Sequence, residues 1–278
     1  MPSRPWCGRR APTGTRPAHA AEAASTDSGG GAGIQADLKT FAVLGVHGTS
    51  AITAITAQNT LGVTDIMEIP PALVAAQIDA VMLDIGARAA KTGMLASAEI
   101  IDVVAVAIEL YGIRNLVVDP VMVAKGGARL LRDDAVDSLR QRLLPLAAVI
   151  TPNLPEAEVL LGRPIRTLDE RRQAARDLVL LGARAAVVKG GHADDQLSID
   201  HFFDGTQLVE LVSPRIATQN THGSGCVFSA ALAAGLAKGS DALAAVHEAK
   251  AFITSAIERS LEVGRGHGPV NPMFGIAN

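Results

Sequence analysis

Short apolar runs alternate with longer amphipathic patterns from about residue 29 to the C-terminus. The short runs predict strands at 49–57, 89–94, 116–119, 148–151 and 185–189. Apolar residues with a spacing of three to four predict helices at 34–44, 71–83, 97–112, 133–144 and 167–182. Strands that alternate with helices form βαβ units with right-handed crossovers. The pattern therefore predicts an α/β fold with a mostly parallel central sheet that helices flank.

The pattern changes in the last third of the chain. Two β-rich runs, 198–203 and 207–212, flank Asp204-Gly205, a dipeptide typical of tight turns, and so predict a late β-hairpin. Two long helical patterns follow at 224–237 and 241–261. Because neither a linker nor a fixed-period repeat interrupts this stretch, residues 27–278 are expected to form one domain. Residues 1 to about 20 are rich in Pro, Gly, Arg and Thr, so residues 1–26 are expected to be a disordered or aberrant segment.

Composition narrows the class of protein. Of 278 residues, 48% are hydrophobic and 19% are charged, which excludes disorder over most of the chain. The net charge is −3 and no basic stripe is present, so a nucleic-acid partner is not expected. No apolar stretch reaches the length of a membrane span. The two cysteines, Cys7 and Cys226, form neither a disulfide framework nor a zinc spacing, which favours a cytoplasmic protein.

Polar or glycine-rich segments follow the predicted strands. Ligands of open parallel sheets bind beyond the carboxyl ends of the strands, so these segments predict a site along one edge of the sheet. The segments are 27–33, 58–60, 91–94, 119–120, 151–153, 189–191 and 221–226.

The segment from His222 to Cys226 precedes an alanine-rich helix. Glycines at a helix N-terminus let main-chain N–H groups face an anion; the alternative is a plain glycine-rich cap. The segment matches no P-loop, and the chain has no dinucleotide-binding fingerprint, which argues against a Rossmann-type oxidoreductase. Cys226 lies in the first helical turn, where the helix dipole favours a thiolate that acts as a base or nucleophile. The alternative is a small buried apolar residue.

Oxygen-bearing side chains follow two other strands. Asp119, Asn153 and Glu156 have the ligand type that Mg²⁺ requires. Asn153 and Glu156 are equally well placed to cap a helix. Lys189 precedes two glycines and either reaches a phosphate or extends into water.

Several strings, in this order and at these spacings, resemble the hydroxymethylpyrimidine/phosphomethylpyrimidine kinases of thiamine biosynthesis, in the ribokinase-like superfamily. The strings are SGGGAGIQADLKT at 28–40, KTGML at 91–95, VDPVM at 118–122, ITPNLPE at 150–156, VKGGH at 188–192, NTHGSGC at 220–226 and GRGHGP at 264–269. The resemblance implies a three-layer ribokinase-like sandwich and a homodimer. It also implies an ATP- and Mg²⁺-dependent kinase, which phosphorylates 4-amino-5-hydroxymethyl-2-methylpyrimidine and then its monophosphate.

The resemblance also assigns roles to residues of this chain. Cys226 matches the catalytic base, and Gly223, Ser224 and Gly225 match the anion hole. The expected substrate contacts are Gln58, Asp37, Met94 and Gly31. The expected nucleotide contacts are Lys189, Thr221, His222 and Asn153, and the expected metal ligands are Asp119 and Glu156.

Two alternatives stay open. A pyridoxal-type kinase would share the fold and act on a similar hydroxymethyl heterocycle. The family also begins with an apolar strand, whereas residues 18–26 lack β-branched bulk and place Glu22 inside that strand. This departure is the reason to consider a small-molecule-binding regulator that has lost catalysis.

Overall fold

A central sheet organises the protein, whose computed structural model describes residues 17–123, 127, 130–192 and 196–276. The strands are β1 (His19–Ala24), β2 (His47–Ile52), β3 (Ala54–Asn59), β4 (Gly62–Glu68), β5 (Ala89–Thr92), β6 (Leu116–Val118), β7 (Val149–Ile150), β8 (Ala186–Val188), β9 (Leu197–Phe203) and β10 (Leu208–Pro214). Eight of them form one sheet in the order β10-β9-β8-β7-β6-β5-β1-β2, while β3 and β4 form a separate hairpin. The six strands from β8 to β2 pair in parallel, and β9 and β10 add an antiparallel edge.

Helices cover both faces of this sheet. They are α1 (Gly33–Val43), α2 (Pro71–Asp84), α3 (Ala98–Leu110), α4 (Asp133–Ser138), α5 (Leu154–Leu161), α6 (Leu168–Leu180), α7 (Ser224–Lys238) and α8 (Ala242–Glu258). Helices α2 to α6 pack on one face, and α1, α7 and α8 pack on the other. The predicted α/β architecture, with its mostly parallel sheet, flanking helices and late hairpin, is therefore confirmed. No helix among the described residues is long and apolar enough to cross a membrane.

The continuous apolar runs of the strands follow from burial on both faces. In β6, Leu116 and Val118 belong to the core under α2 to α6, while Val117 belongs to the core under α1, α7 and α8. Side chains alternate along a strand, so a strand between two helical layers needs apolar residues at every position.

Strand β1 forms although its sequence made it doubtful. It lies before residue 27, inside the segment that we expected to be disordered or aberrant. Main-chain pairing with both β2 and β5 fixes it in the sheet, and this pairing does not require bulky side chains. Ala20 faces the α1 and α7 layer, and Ala23 faces the opposite layer. The remainder of the expected disordered tail, residues 1–16, lies outside the described residues.

The single buried strand predicted at 49–57 is wrong. The chain leaves the central sheet at Thr53, whose N–H donates to Ala24 O (3.0 Å) and whose hydroxyl donates to Met94 O (2.7 Å). It then enters the β3–β4 hairpin, which contains a bulge between Ala57 and Gln58. The pattern concealed this change because no residue of β4 is fully buried, so the partner strand of the hairpin carries little apolar signal. A bulge reorients the side chains around it, which matters here for Gln58.

Candidate active site

A cleft of about 680 Å³ lies along the carboxyl ends of the parallel strands. Its volume is within the usual range for small-molecule sites, about 300–1,000 Å³. Most of the residues that sequence reasoning singled out line it: Gln58, Met94, Asp119, Asn153, Glu156, Lys189, Thr221, His222, Gly223, Ser224, Gly225 and Cys226. Gly31 and Asp37 are the two that do not.

The N-terminus of α7 forms one wall of the cleft. Gly223 precedes the helix with φ +77, a left-handed conformation that glycine adopts readily. A Cβ at Gly223 would lie only 1.8 Å from Gly31 O, and one at Gly225 would lie 3.3 Å from Lys189 Nζ. Glycines therefore let this turn approach both the 27–33 loop and a cation. The free N–H groups of a helix start, close to a lysine, form an environment suited to an anion.

Lys189 and Asp119 form an ion pair in the floor of the cleft. Lys189 Nζ lies 3.0 Å from Asp119 Oδ1, and Asp119 is 2% exposed. Thr151 Oγ1 also donates to Oδ1 (3.3 Å), while Ser229 Oγ donates to Oδ2 (3.3 Å). Burial alone would lower the pKa of Lys189, but the carboxylates of Asp119 and Glu156 raise it overall, so the cation is retained.

Asn153 and Glu156 form a reciprocal capping box at the start of α5. Asn153 Oδ1 accepts from the Glu156 N–H (2.9 Å), and Glu156 Oε2 accepts from the Asn153 N–H (2.8 Å). Burial raises the pKa of Glu156 to about 7, opposed by Lys189 and reinforced by Asp119. The structural role that the sequence left open is therefore present, and both side chains still line the cleft.

Asp119 and Glu156 suit Mg²⁺ only together with the oxygen atoms of a bound substrate and water. Within the described ranges, no group of three or more His, Cys, Asp or Glu side chains could hold a metal ion. Mg²⁺ in phosphoryl-transfer sites usually takes one or two carboxylates, water and the phosphates of the substrate. Asp119 and Glu156 repel one another across the cleft, which is the arrangement that a shared cation would relieve.

His222 connects the α7 turn to the 27–33 loop. Its Nε2 lies 2.8 Å from Asp27 Oδ2 and 3.5 Å from Gln58 Nε2. Asp27 also accepts from the N–H groups of Gly29 (2.8 Å) and Ala32 (2.8 Å). Burial opposes ionisation of Asp27, yet these donors, led by His222, lower its pKa overall. The His222 contact joins positions 195 residues apart, so no local motif could have identified it.

Gln58 lies at the bulge of β3, where it faces the cleft. Its main chain is held by Ser28, whose hydroxyl accepts from the Gln58 N–H (2.8 Å) and donates to Gln58 O (2.6 Å). Its Oε1 accepts from Thr56 Oγ1 (3.2 Å). Met94 is buried beside Ala54 and Ala96 and supplies an apolar surface in the same cleft.

Two expected substrate contacts are placed elsewhere. Gly31 packs beneath the cleft, where an added Cβ would lie 2.7 Å from His222 Cδ2. Asp37 is fully buried on α1 and forms an ion pair with Lys91. Asp37 does not line the cleft, but its partner Lys91 does, so the expected substrate contact of Asp37 stays a prediction.

The surroundings of the Cys226 thiol oppose its ionisation. Burial raises its pKa to about 12, although Lys91 lowers it; Asp37 and Asp119 raise it further. Burial and the two carboxylates therefore oppose the thiolate that the position of Cys226 at a helix N-terminus led us to expect.

Sequence reasoning missed one further pair at the opposite end of the cleft. Lys250 Nζ donates to Asp200 Oδ2 (2.8 Å), and Asp200 Oδ1 accepts from the Gly190 N–H (2.8 Å). This pair holds the glycines that follow β8. No motif marks it, because the two residues come from the antiparallel strand β9 and from the last helix, α8.

Comparisons with known proteins agree with this geometry. The family model described as phosphomethylpyrimidine kinase matches residues 27–271. The hydroxymethylpyrimidine/phosphomethylpyrimidine kinase of Bacillus subtilis (strain 168) is 50% identical over 249 residues, covering 89% of this chain and 92% of the relative. The thiamine biosynthesis bifunctional protein ThiED of Geobacter sulfurreducens is 54% identical over 248 residues; this match covers 89% of the chain but only 51% of that longer protein.

A solved structure gives the same fold. The Bacillus subtilis pyridoxal kinase in complex with ADP superposes with a TM-score of 0.88 and 40% identity, over 95% of this chain and 100% of that one. The expected ribokinase-like fold is thus confirmed.

Proposed function

The chain belongs to the phosphomethylpyrimidine kinase family, and from this membership we propose that it phosphorylates 4-amino-5-hydroxymethyl-2-methylpyrimidine and then its monophosphate. It is a phosphotransferase. The phosphoryl donor is ATP, a choice supported by the ADP complex of the related pyridoxal kinase. The single observation that carries the proposal is the α7 turn, whose N–H groups lie beside Lys189 and Asp119 in the cleft.

The main-chain groups of Gly223 to Cys226 stabilise the transferring phosphoryl group. The substrate hydroxyl oxygen attacks the γ-phosphorus, and the bond to ADP breaks on the opposite side. Because such transition states are loose, positioning and charge neutralisation contribute more than covalent chemistry. Lys189 supplies a positive charge close to this turn, and its ion pair with Asp119 fixes its position.

Asp119 and Glu156 are the residues that would hold Mg²⁺. The bound ion would neutralise charge on the nucleotide phosphates. Asn153 orients Glu156 through the capping box, and Thr221 and His222 form the neighbouring wall of the cleft.

Cys226 takes the proton of the substrate hydroxyl. It must first ionise, and burial makes this step costly in the free protein. Lys91 is the cation that lowers this cost. The proton leaves late in a loose transition state, so a base is required only as the phosphoryl group arrives.

Gln58 recognises the pyrimidine edge. An amide both donates and accepts, which matches an aminopyrimidine, and Met94 supplies an apolar contact for the ring. We further propose a cytoplasmic homodimer whose catalytic domain comprises residues 27–278 together with strand β1, which pairs with β2 and β5; the family resemblance supports the dimer and the cysteine content supports the compartment.

A pyridoxal-type kinase is the second candidate, favoured by the likeness to the Bacillus subtilis pyridoxal kinase. The test is a substrate panel in which kcat/KM is measured for the hydroxymethylpyrimidine, pyridoxal and pyridoxine, with ATP consumption as the readout. The proposal expects the pyrimidine to be preferred. A preference for pyridoxal would support the alternative, and no ATP consumption with any alcohol would support a regulator without catalysis.

A further inference from the structure

Glu22 and Lys91 lie side by side inside the sheet. They are register partners on the parallel strands β1 and β5, so their side chains lie on the same face. That face packs against α1 and α7. Glu22 is 2% exposed and Lys91 is 1% exposed, so neither charge is solvated by bulk water.

A third charge meets them from α1. Asp37 Oδ2 forms an ion pair with Lys91 Nζ. Asp37 Oδ1 and both carboxyl oxygens of Glu22 have no hydrogen-bond donor among the described residues. Glu22 nevertheless lies within hydrogen-bonding reach of Asp37. Two ionised carboxylates cannot bond to one another, because both only accept.

A single proton shared by the carboxyl groups of Glu22 and Asp37 would remove this conflict. With both carboxyls ionised, the cluster would bury two negative charges against one positive charge and leave acceptors unpaired, which is costly. The charged or titratable groups facing Glu22 are Asp37 from α1, Lys91 from β5 and Cys226 from α7. Strand β2 places only the neutral Ser50 opposite it. Burial, followed by Asp37, raises the pKa of Glu22 well above its ordinary value.

We propose that Glu22 is protonated in the folded protein and that its carboxyl O–H donates a hydrogen bond to Oδ1 of Asp37. Because Glu22 is then neutral, it does not compete with Cys226 for the positive charge of Lys91. Glu22 is thus a positioning residue. It does not contact the substrate, and it acts on the base through Lys91. The second half of this inference rests on the proposed role of Cys226; the protonation of Glu22 does not.

Stability as a function of pH tests the proton directly. If the pKa of Glu22 is raised in the folded state, then above about pH 5 the folded protein holds a proton that the unfolded chain has lost. Unfolding therefore releases a proton, and the free energy of unfolding falls as pH rises. We expect the unfolding equilibrium constant of wild type, relative to Glu22→Gln, to rise about tenfold per pH unit above that point. Glutamine does not titrate, so the variant lacks this dependence.

The exposed Glu109→Gln on α3 is the matched control, and it should follow wild type at every pH. If Glu22→Gln does not fold, Glu22→Leu replaces it with a side chain that is also unable to titrate. A ratio of equilibrium constants that stays constant with pH, or falls as pH rises, would overturn the proposal, because Glu22 would then be ionised and paired with Lys91.

Kinetics test the connection to Cys226. As pH rises, Glu22 ionises in wild type and competes with Cys226 for the charge of Lys91. We therefore expect the ratio of kcat for Glu22→Gln to that of wild type to increase with pH, while the KM for ATP changes little. A ratio independent of pH would overturn the positioning role. If neither protein phosphorylates the pyrimidine, the proposed function is wrong. The stability experiment still shows whether Glu22 is protonated in the folded protein.

Discussion

The close approach of two loops at the α7 turn allows a sharp test with alanine. At Gly223, alanine would have to adopt φ +77, and its Cβ would lie 1.8 Å from Gly31 O. The left-handed backbone costs about 1–2 kcal/mol for a residue with a Cβ. The overlap with a carbonyl group forces a backbone shift, and overpacking of this kind costs about 1–3 kcal/mol more. Gly223→Ala is therefore expected to lower the free energy of unfolding by about 2–5 kcal/mol, whereas that free energy is typically about 5–15 kcal/mol for a folded protein.

Gly239, at the other end of the same helix, is the matched control. It is also left-handed, with φ +100, but nothing lies within 4 Å of an added Cβ. Gly239→Ala should therefore lose only the conformational part, about 1–2 kcal/mol. Chemical denaturation followed by circular dichroism measures both losses.

Equal losses at the two glycines would refute this account of the turn. They would mean that the 27–33 loop moves away at little cost and does not hold the start of α7. Gly223→Ala should also lower kcat, because the N–H groups would no longer converge on one point, whereas Gly239→Ala should keep wild-type kcat.

Four further predictions concern the side chains of Gln58, Cys226 and Asp27. Gln58→Leu should cost roughly 1–3 kcal/mol of pyrimidine affinity and leave the affinity for ATP unchanged; equal losses for both ligands would make Gln58 structural. In a Cys7→Ser background, alkylation of Cys226 should accelerate steadily from pH 7 to 10, because burial raises the thiol pKa to about 12, and a plateau near neutrality would contradict this. In the same background, Cys226→Ala should lower kcat by about 10²–10⁴-fold while ATP still binds. Retained turnover would mean that Cys226 is not the base and that the anion hole of Gly223 to Cys226 carries the reaction. Asp27→Asn should be less stable than wild type at neutral pH, and the difference should shrink below about pH 4, because His222 lowers the folded-state pKa of Asp27; a difference independent of pH would show that Asp27 does not titrate with folding.

The sequence predicted the layers of the fold because burial determines its pattern. Strands such as β6 are apolar at every position, and this reports two helical layers directly. The β3–β4 hairpin escaped prediction because only Ala54 and Thr56 of β3 are buried and no residue of β4 is, so burial leaves little pattern in its sequence. Strand β1 was doubted for the opposite reason: its small side chains carry little signal, and main-chain pairing with β2 and β5 holds it in place.

The candidate site was predictable as a set of strand ends and less so in its details. Residues at the ends of parallel strands converge in any such sheet, so Asp119, Asn153 and Lys189 could be expected together. The surroundings of Asp37 depend on the rotation of α1 about its axis, which the sequence alone did not predict. The state of Cys226 depends on burial and on Asp37 and Asp119, which lie far away in the chain.

A time course with the purified protein, ATP, Mg²⁺ and 4-amino-5-hydroxymethyl-2-methylpyrimidine tests the central claim most directly. Products are separated by chromatography and identified by mass. We expect the monophosphate to appear first and then to be converted to the diphosphate, with one ADP formed for each phosphoryl group. ADP formation without a phosphorylated pyrimidine, or no consumption of the alcohol at all, would contradict it.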